Sequence, residues 1–196
     1  MTKLPRGLYG MVDADRGEAE QSIIDRALFL VDLGVQAVQV RAKHHISDSV
    51  LSLAGRLVHR VPLLIINDHS HVAFTLGGGT GKVWAHVGQD DDAHPNVPFG
   101  RSTHTLAQIL SCGAASYVGF GPVFETCSKD TGYSARGLAL LAEAVQRSPV
   151  PVVAIGGITL ENIDDVRATG VHAWAPIRGL WERRTDGPGL RRLLKH

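Results

Sequence analysis

The sequence predicts a (β/α)8 barrel, a closed sheet of eight parallel strands wrapped by helices. Three observations predict it. Short runs rich in valine and isoleucine recur along the chain, amphipathic stretches separate them, and polar side chains gather where the runs end. Strands apolar on both faces belong to a parallel sheet covered by helices, and eight strand–helix units close such a sheet. An open doubly wound sheet is the rival, and the strand count disfavours it.

The first strand is "GLYGMVD" (7–13), followed by the helical pattern "AEQSIIDRALFLVDLG" (19–34). "VQAVQVR" (35–41) is the second strand, "SDSVLSLAGRLVHR" (47–60) the second helix and "PLLIIND" (62–68) the third strand. A helix over 70–76 leads to "VWAHVGQ" (83–89), after which the expected helix shrinks to a turn around 92–96. The remaining strands are "VPFGRS", "ASYVGFG", "VPVVAIGG" and "VHAWAPI", separated by helices over 105–112, 137–147 and 160–168. The alternation follows from period-2 and period-3.6 patterning, and 196 residues place the barrel at the short end of its class.

Composition bounds the rest. With 44% hydrophobic residues, the 196-residue chain is read as one domain over 1–196. A formal net charge of +1 without a run of cations argues against nucleic-acid and membrane partners. No apolar run approaches membrane-spanning length. Two cysteines, Cys112 and Cys127, no Cys-x-x-Cys pair and no leader-like start point to a reduced, cytoplasmic protein. A homo-oligomer stays open.

In a barrel, active-site groups lie where strands run into the following loops. Gln39, Arg41 and Lys43 alternate with Val40 and Ala42 and so share one side of their strand. Asn67 and Asp68 follow the third strand, Gln89 and Asp91 the fourth, Ser102 and His104 the fifth. Arg41, Lys43 and Lys129 offer cations from separate loops, a way to hold a phosphate or pyrophosphate from several sides. The bland reading pairs each with a neighbouring acid. Asp68 and Asp91 together suit Mg²⁺, which takes few carboxylates and shares its shell with water and substrate phosphates; alone, Asp68 is equally a helix N-cap.

Gly156 and Gly157 open onto a helix start, where backbone amides favour an anion. "GGGTGK" (77–82) lacks the spacing of a nucleotide loop and precedes a strand, so it reads as a flexible, inserted connection. His44, His45, His69 and His71 lack cysteine partners at zinc spacing and read as surface histidines. Thr105 and Gln108 form a capping box beside His104, and Cys127 reads as a spectator thiol.

Taken in order, "VQVRAK", "LIIND", "HVGQDD", "GRSTHT", "GPVFETCSK" and "VVAIGGI…NI" resemble the motifs of thiamine-phosphate synthases and the related thiazole tautomerases, from Leu8 to about Leu180. The resemblance implies a phosphate-binding barrel that joins hydroxymethylpyrimidine pyrophosphate to a thiazole phosphate, releasing pyrophosphate. It implies Mg²⁺ on Asp68 and Asp91, with Arg41, Lys43, Asn67 and Lys129 on the pyrophosphate. Gln39 and Ser102 would orient the pyrimidine, and Thr126, Ser128 and Gly157 would hold the thiazole phosphate. Some features lean to the tautomerases: "FET", the later "ARG" and "GRSTHT" are in their style. Pro122 stands where a tautomerase is expected to have a histidine, leaving Glu125 or Cys127 as acid or base. Retention of both aspartates and the cations favours the synthase. Pro176 and Arg178 in "WAPIRG" replace small residues and a serine, so Arg178 becomes a candidate phosphate contact. A regulatory paralogue that binds a thiamine-pathway phosphate, or another phosphate-binding barrel such as a sugar-phosphate epimerase, are the further alternatives.

Overall fold

A computed structural model of the protein describes residues 3–14, 17–77, 80–126, 132–181 and 187–194. Its strands are β1 (Gly7–Asp13), β2 (Ala37–Arg41), β3 (Leu63–Asn67), β4 (Val83–Val87), β5 (Phe99–Thr103), β6 (Tyr117–Phe120), β7 (Val152–Ile155) and β8 (Ala173–Ala175). They follow sequence order around a closed barrel, each parallel to its neighbours, and β8 returns to β1 through Gly7↔Ala173. The predicted (β/α)8 fold is the observed one. The helices are α1 (Glu20–Asp32), α2 (Ser47–Gly55), α3 (Ser70–Gly77), α4 (Leu106–Leu110), α5 (Gly137–Arg147), α6 (Ile163–Ala168), α7 (Arg178–Trp181) and α8 (Gly187–Leu194).

Strand alternation builds two apolar layers. Val38, Val40 and Ile66 join the layer beneath the helices, where Ile24 and Leu30 of α1 are also buried. Each such aliphatic side chain contributes about 1.5–3 kcal/mol by leaving water. The other face of the strands forms a second cluster inside the barrel, with Tyr9, Met11, Ile65, Trp84, Tyr117 and Val153. On β2 this inner face continues from Ala37 through Gln39 to Arg41, so the barrel turns polar toward the strand ends. That polar end is where the loops meet.

Most helix boundaries fall near those expected. Among the described residues no helix joins β4 to β5, and the connection holds a turn closed by Val97 N–H on the His94 carbonyl at 3.1 Å. Thr105 and Gln108 make both arms of the expected capping box at α4. α6 begins later than read, because Asn162 accepts from Thr159 N–H at 2.8 Å and donates to the Gly157 carbonyl at 2.9 Å. Those bonds hold residues 157–162 in a loop. α7 and α8 were not anticipated; α8 is held to β8 by Trp174 Nε1, which donates to the Leu193 carbonyl at 3.0 Å. No helix among the described residues is long and apolar enough to cross a membrane.

Candidate active site

One cavity of about 470 Å³ opens at the polar end of the barrel, at the C-terminal ends of the strands. Gln39, Arg41, Lys43, Asn67, Asp68 and Asp91 line it together with Ser102, Thr126 and Gly157. The strand-end rule therefore brought these residues to one place. Ser128 and Lys129 lie outside the described residues, as does Cys127, and of Arg178 only the backbone in α7 is described.

Both described cations meet acids. The β1–β2 register sets Asp13 beside Arg41, and Arg41 Nη1 reaches Asp13 Oδ2 at 2.9 Å. Arg26 Nη2 donates to the Asp13 carbonyl at 2.9 Å, tying α1 to the same corner. Lys43 Nζ lies 3.7 Å from Asp68 Oδ2. These pairs keep the cations extended over the cavity, where an incoming anion can exchange with or share a carboxylate. The Lys43–Asp68 pair is the more open of the two, and an exposed pair contributes only about 0–1 kcal/mol.

Asp68 adopts φ 63°, a left-handed conformation that aspartate tolerates better than most residues. Its N–H donates to the His86 carbonyl at 2.8 Å, which fixes the bend between β3 and α3. Its carboxylate meets Lys43 rather than the first amides of α3, so the cap role does not explain it. Asp91 Oδ2 accepts from Gly88 N–H at 3.1 Å. Arg101 fastens this loop from outside, its Nη1 lying 3.2, 2.6 and 3.0 Å from the carbonyls of Gly88, Gln89 and Asp91. Among the described residues no group of three or more His, Cys, Asp or Glu side chains converges on a metal position. Asp68 and Asp91 line the same cavity, and a pair of carboxylates is the kind of donor set Mg²⁺ takes, since it completes its shell with water and substrate oxygens.

A chain of polar side chains crosses the barrel below these groups. Gln39 Nε2 donates to Tyr9 Oη at 3.0 Å, Tyr9 Oη lies 2.7 Å from Tyr117 Oη, and Tyr117 Oη lies 2.9 Å from His86 Nδ1. His86 Nε2 then meets Ser102 Oγ at 3.0 Å. Room for this chain comes from glycine: a Cβ on Gly100 would stand 2.0 Å from Tyr117 Cζ, and one on Gly119 would stand 3.3 Å from His86 Cε1. Two buried polar atoms facing this region, Gln39 Oε1 and Asn67 Nδ2, have no hydrogen-bond partner among the described residues. A buried orphan costs about 1–3 kcal/mol, and one lining a cavity is an offer to a ligand.

Burial pushes the Tyr9 and Tyr117 phenols well above the ordinary tyrosine range, and for Tyr117 the nearby Tyr9 adds to the effect. Unfolded tyrosine ionises near pH 10, so above that pH the folded state holds protons that the unfolded state has released. The phenols' contribution to stability is then expected to be constant below about pH 10 and to fall above it, by about 1.4 kcal/mol per pH unit for each buried phenol. Urea unfolding across that range checks the slope, and Tyr9→Phe should reduce it.

The loops after β6 and β7 close the remaining wall. Gly156 and Gly157 have φ of 95° and 66°, and a Cβ on Gly157 would stand 2.6 Å from Phe124 Cβ and 2.7 Å from the Glu125 carbonyl. Only glycine lets the two loops touch this closely, which presents bare backbone beside Thr126. Glu125, a candidate acid or base, accepts from Ala135 N–H through Oε1 at 3.2 Å. It is thus engaged in shaping its own loop.

Asp13, His86, Tyr9, Tyr117 and Arg101 were missed by sequence reasoning. Asp13 ends a strand and obeys the same rule as Asn67, so it was findable. Tyr9, Tyr117 and His86 sit within apolar runs, where they read as core.

The model of the family described as thiamine monophosphate synthase matches residues 8–180. The thiamine-phosphate synthase of Anaeromyxobacter dehalogenans is 36% identical over 160 residues, covering 75% of this chain and 70% of that protein. The thiamine-phosphate synthase of Myxococcus xanthus is 35% identical over 188 residues, covering 89% and 84%. Among solved structures, thiamine phosphate pyrophosphorylase from Pyrococcus furiosus superposes with a TM-score of 0.78 at 25% identity, covering 96% of this chain and 95% of that one.

Proposed function

Because the chain belongs to the thiamine monophosphate synthase family, we propose that it condenses hydroxymethylpyrimidine pyrophosphate with thiazole phosphate to give thiamine phosphate and pyrophosphate. It is an enzyme of thiamine biosynthesis, a transferase acting on phosphorylated small molecules. The observation that carries this reading is one cavity with Asp68, Asp91, Arg41 and Lys43 on its rim and the polar chain ending in Gln39 and Ser102 below. We read residues 1–196 as one catalytic domain working in the cytoplasm, without nucleic-acid or membrane partners.

Arg41 and Lys43 exchange their carboxylate contacts for pyrophosphate oxygens, and the orphaned Asn67 Nδ2 donates a further hydrogen bond. Lys129 is assigned to the same group. Gln39 and Ser102 orient the pyrimidine, while Thr126, Ser128 and the Gly156–Gly157 backbone hold the thiazole phosphate, with Arg178 as a further contact. Asp68 and Asp91 hold Mg²⁺, which when bound neutralises charge on the departing pyrophosphate. The methylene carbon–oxygen bond breaks with its electron pair leaving on pyrophosphate, and the thiazole nitrogen forms the new carbon–nitrogen bond. No protein nucleophile or proton transfer is needed, so positioning and electrostatics supply the catalysis.

Incubation of the protein with both substrates and Mg²⁺ should yield thiamine phosphate and pyrophosphate in equal amounts. Binding of thiazole phosphate without product would defeat the transferase reading and favour an isomerase or a regulatory binder. Arg101 should govern the Mg²⁺ requirement, because it holds the Gly88–Asp91 loop through carbonyls. Arg101→Met is expected to raise the Mg²⁺ needed for half-maximal activity by about tenfold, the usual scale for a group supporting a metal ligand. Mn²⁺ binding followed by electron paramagnetic resonance checks this without turnover.

A further inference from the structure

The chain from Gln39 to Ser102 takes its direction from the Gln39 amide, which is oriented with Nε2 toward Tyr9 and Oε1 toward the cavity. Each phenol carries one hydrogen, and Gln39 Nε2 already donates into Tyr9 Oη. If Tyr117 also donated to Tyr9, the hydrogen of Tyr9 would have no acceptor at a side chain only 3% exposed. That arrangement costs about the full penalty of an orphaned buried donor. Tyr9 therefore donates to Tyr117, and Tyr117 to His86 Nδ1. His86 is left with its hydrogen on Nε2, where it donates to Ser102 Oγ. The two ends are complementary: Gln39 Oε1 is a buried acceptor awaiting a donor, and the Ser102 hydroxyl keeps its own hydrogen to give.

We propose that Tyr9, Tyr117 and His86 are positioning residues that hold Gln39 Oε1 as acceptor and Ser102 O–H as donor, and thereby select an aminopyrimidine over its oxo counterpart. An exocyclic amine donates and the ring nitrogen accepts, matching both ends of the chain. An oxo group offers an acceptor to Gln39 Oε1, and two acceptors repel. The choice of a pyrimidine rests on the transferase reading above; the direction of the chain rests instead on the Gln39 amide orientation. Glycines 100 and 119 support the arrangement, since any side chain at Gly100 would displace the Tyr117 ring.

Two measurements separate the claims. Nitrogen NMR of the ligand-free protein should find His86 protonated on Nε2 and bare on Nδ1; a hydrogen on Nδ1 overturns the proposed direction. Tyr117→Phe and Tyr9→Phe each interrupt the chain. Both are expected to lower the ratio of kcat/KM for amino against oxo pyrimidine pyrophosphates by about tenfold or more, with the KM for thiazole phosphate unchanged. A purely structural role would reduce stability and depress both substrates alike. If the unaltered protein turns over neither pyrimidine, the transferase reading falls while the NMR result still decides the direction. If it turns over the amino substrate and both variants keep its selectivity, the positioning role is refuted.

Discussion

Asp91→Asn is expected to lower kcat by about 100-fold or more while leaving the fold intact. The asparagine keeps the size of the side chain and an oxygen to accept from Gly88 N–H, so the loop clasped by Arg101 need not move. Asp91 is exposed, and substitutions at such positions usually change stability by only about 0.5 kcal/mol. What disappears is a full negative charge lining the cavity, at one of the two carboxylates proposed to hold Mg²⁺. Removing one electrostatic group aimed at a transition-state charge costs about 10²–10³ in rate. Pyrophosphate release measured over a series of Mg²⁺ concentrations checks the effect. Near-normal rates at low Mg²⁺ would remove Asp91 from the site.

Gly100→Ala should be the most damaging single methyl group in the barrel interior. Its Cβ would stand 2.0 Å from Tyr117 Cζ, 2.2 Å from Cε1 and 2.5 Å from Cε2, so the clash is with the body of a rigid, fully buried ring. The ring cannot step aside, because Trp84 stacks against it at 6.2 Å and its hydroxyl is bonded to Tyr9 and His86. Overpacking of this kind costs about 3 kcal/mol. The expected result is a large fall in the urea midpoint and lost activity. Combination with Tyr117→Leu, which removes the ring, should recover part of the stability but not the pyrimidine selectivity. Equal stability of Gly100→Ala and the unaltered protein would mean the ring does not occupy this position.

Much of the site was legible because its signals are local. Gln39, Arg41 and Lys43 alternate with apolar residues, and a strand of period 2 sends them to one face whatever the partner strand does. Asn67, Asp68, Asp91 and Ser102 stand at strand ends, where a barrel gathers its loops. Arg101 was illegible by the same logic. It lies between two inward positions on β5, points the other way, and acts by bending back over residues 88–91. The hydrogen-bonded pair Tyr9 and Tyr117 is separated by 108 residues, and no local pattern announces which two aromatic residues will meet.

The eight-stranded barrel, the end at which its polar groups collect and the identities of most of those groups are written in local patterning, because periodicity and turn placement are properties of neighbouring residues. Which groups touch is a matter of the folded barrel: Arg41 with Asp13, Lys43 with Asp68, Arg101 with the Gly88–Asp91 loop, and the chain from Gln39 to Ser102. Those contacts depend on barrel closure and on register between strands far apart in the chain. Register is set by the packing of all eight strands at once, and glycines such as Gly100 show their purpose only when the ring that needs the space is in place.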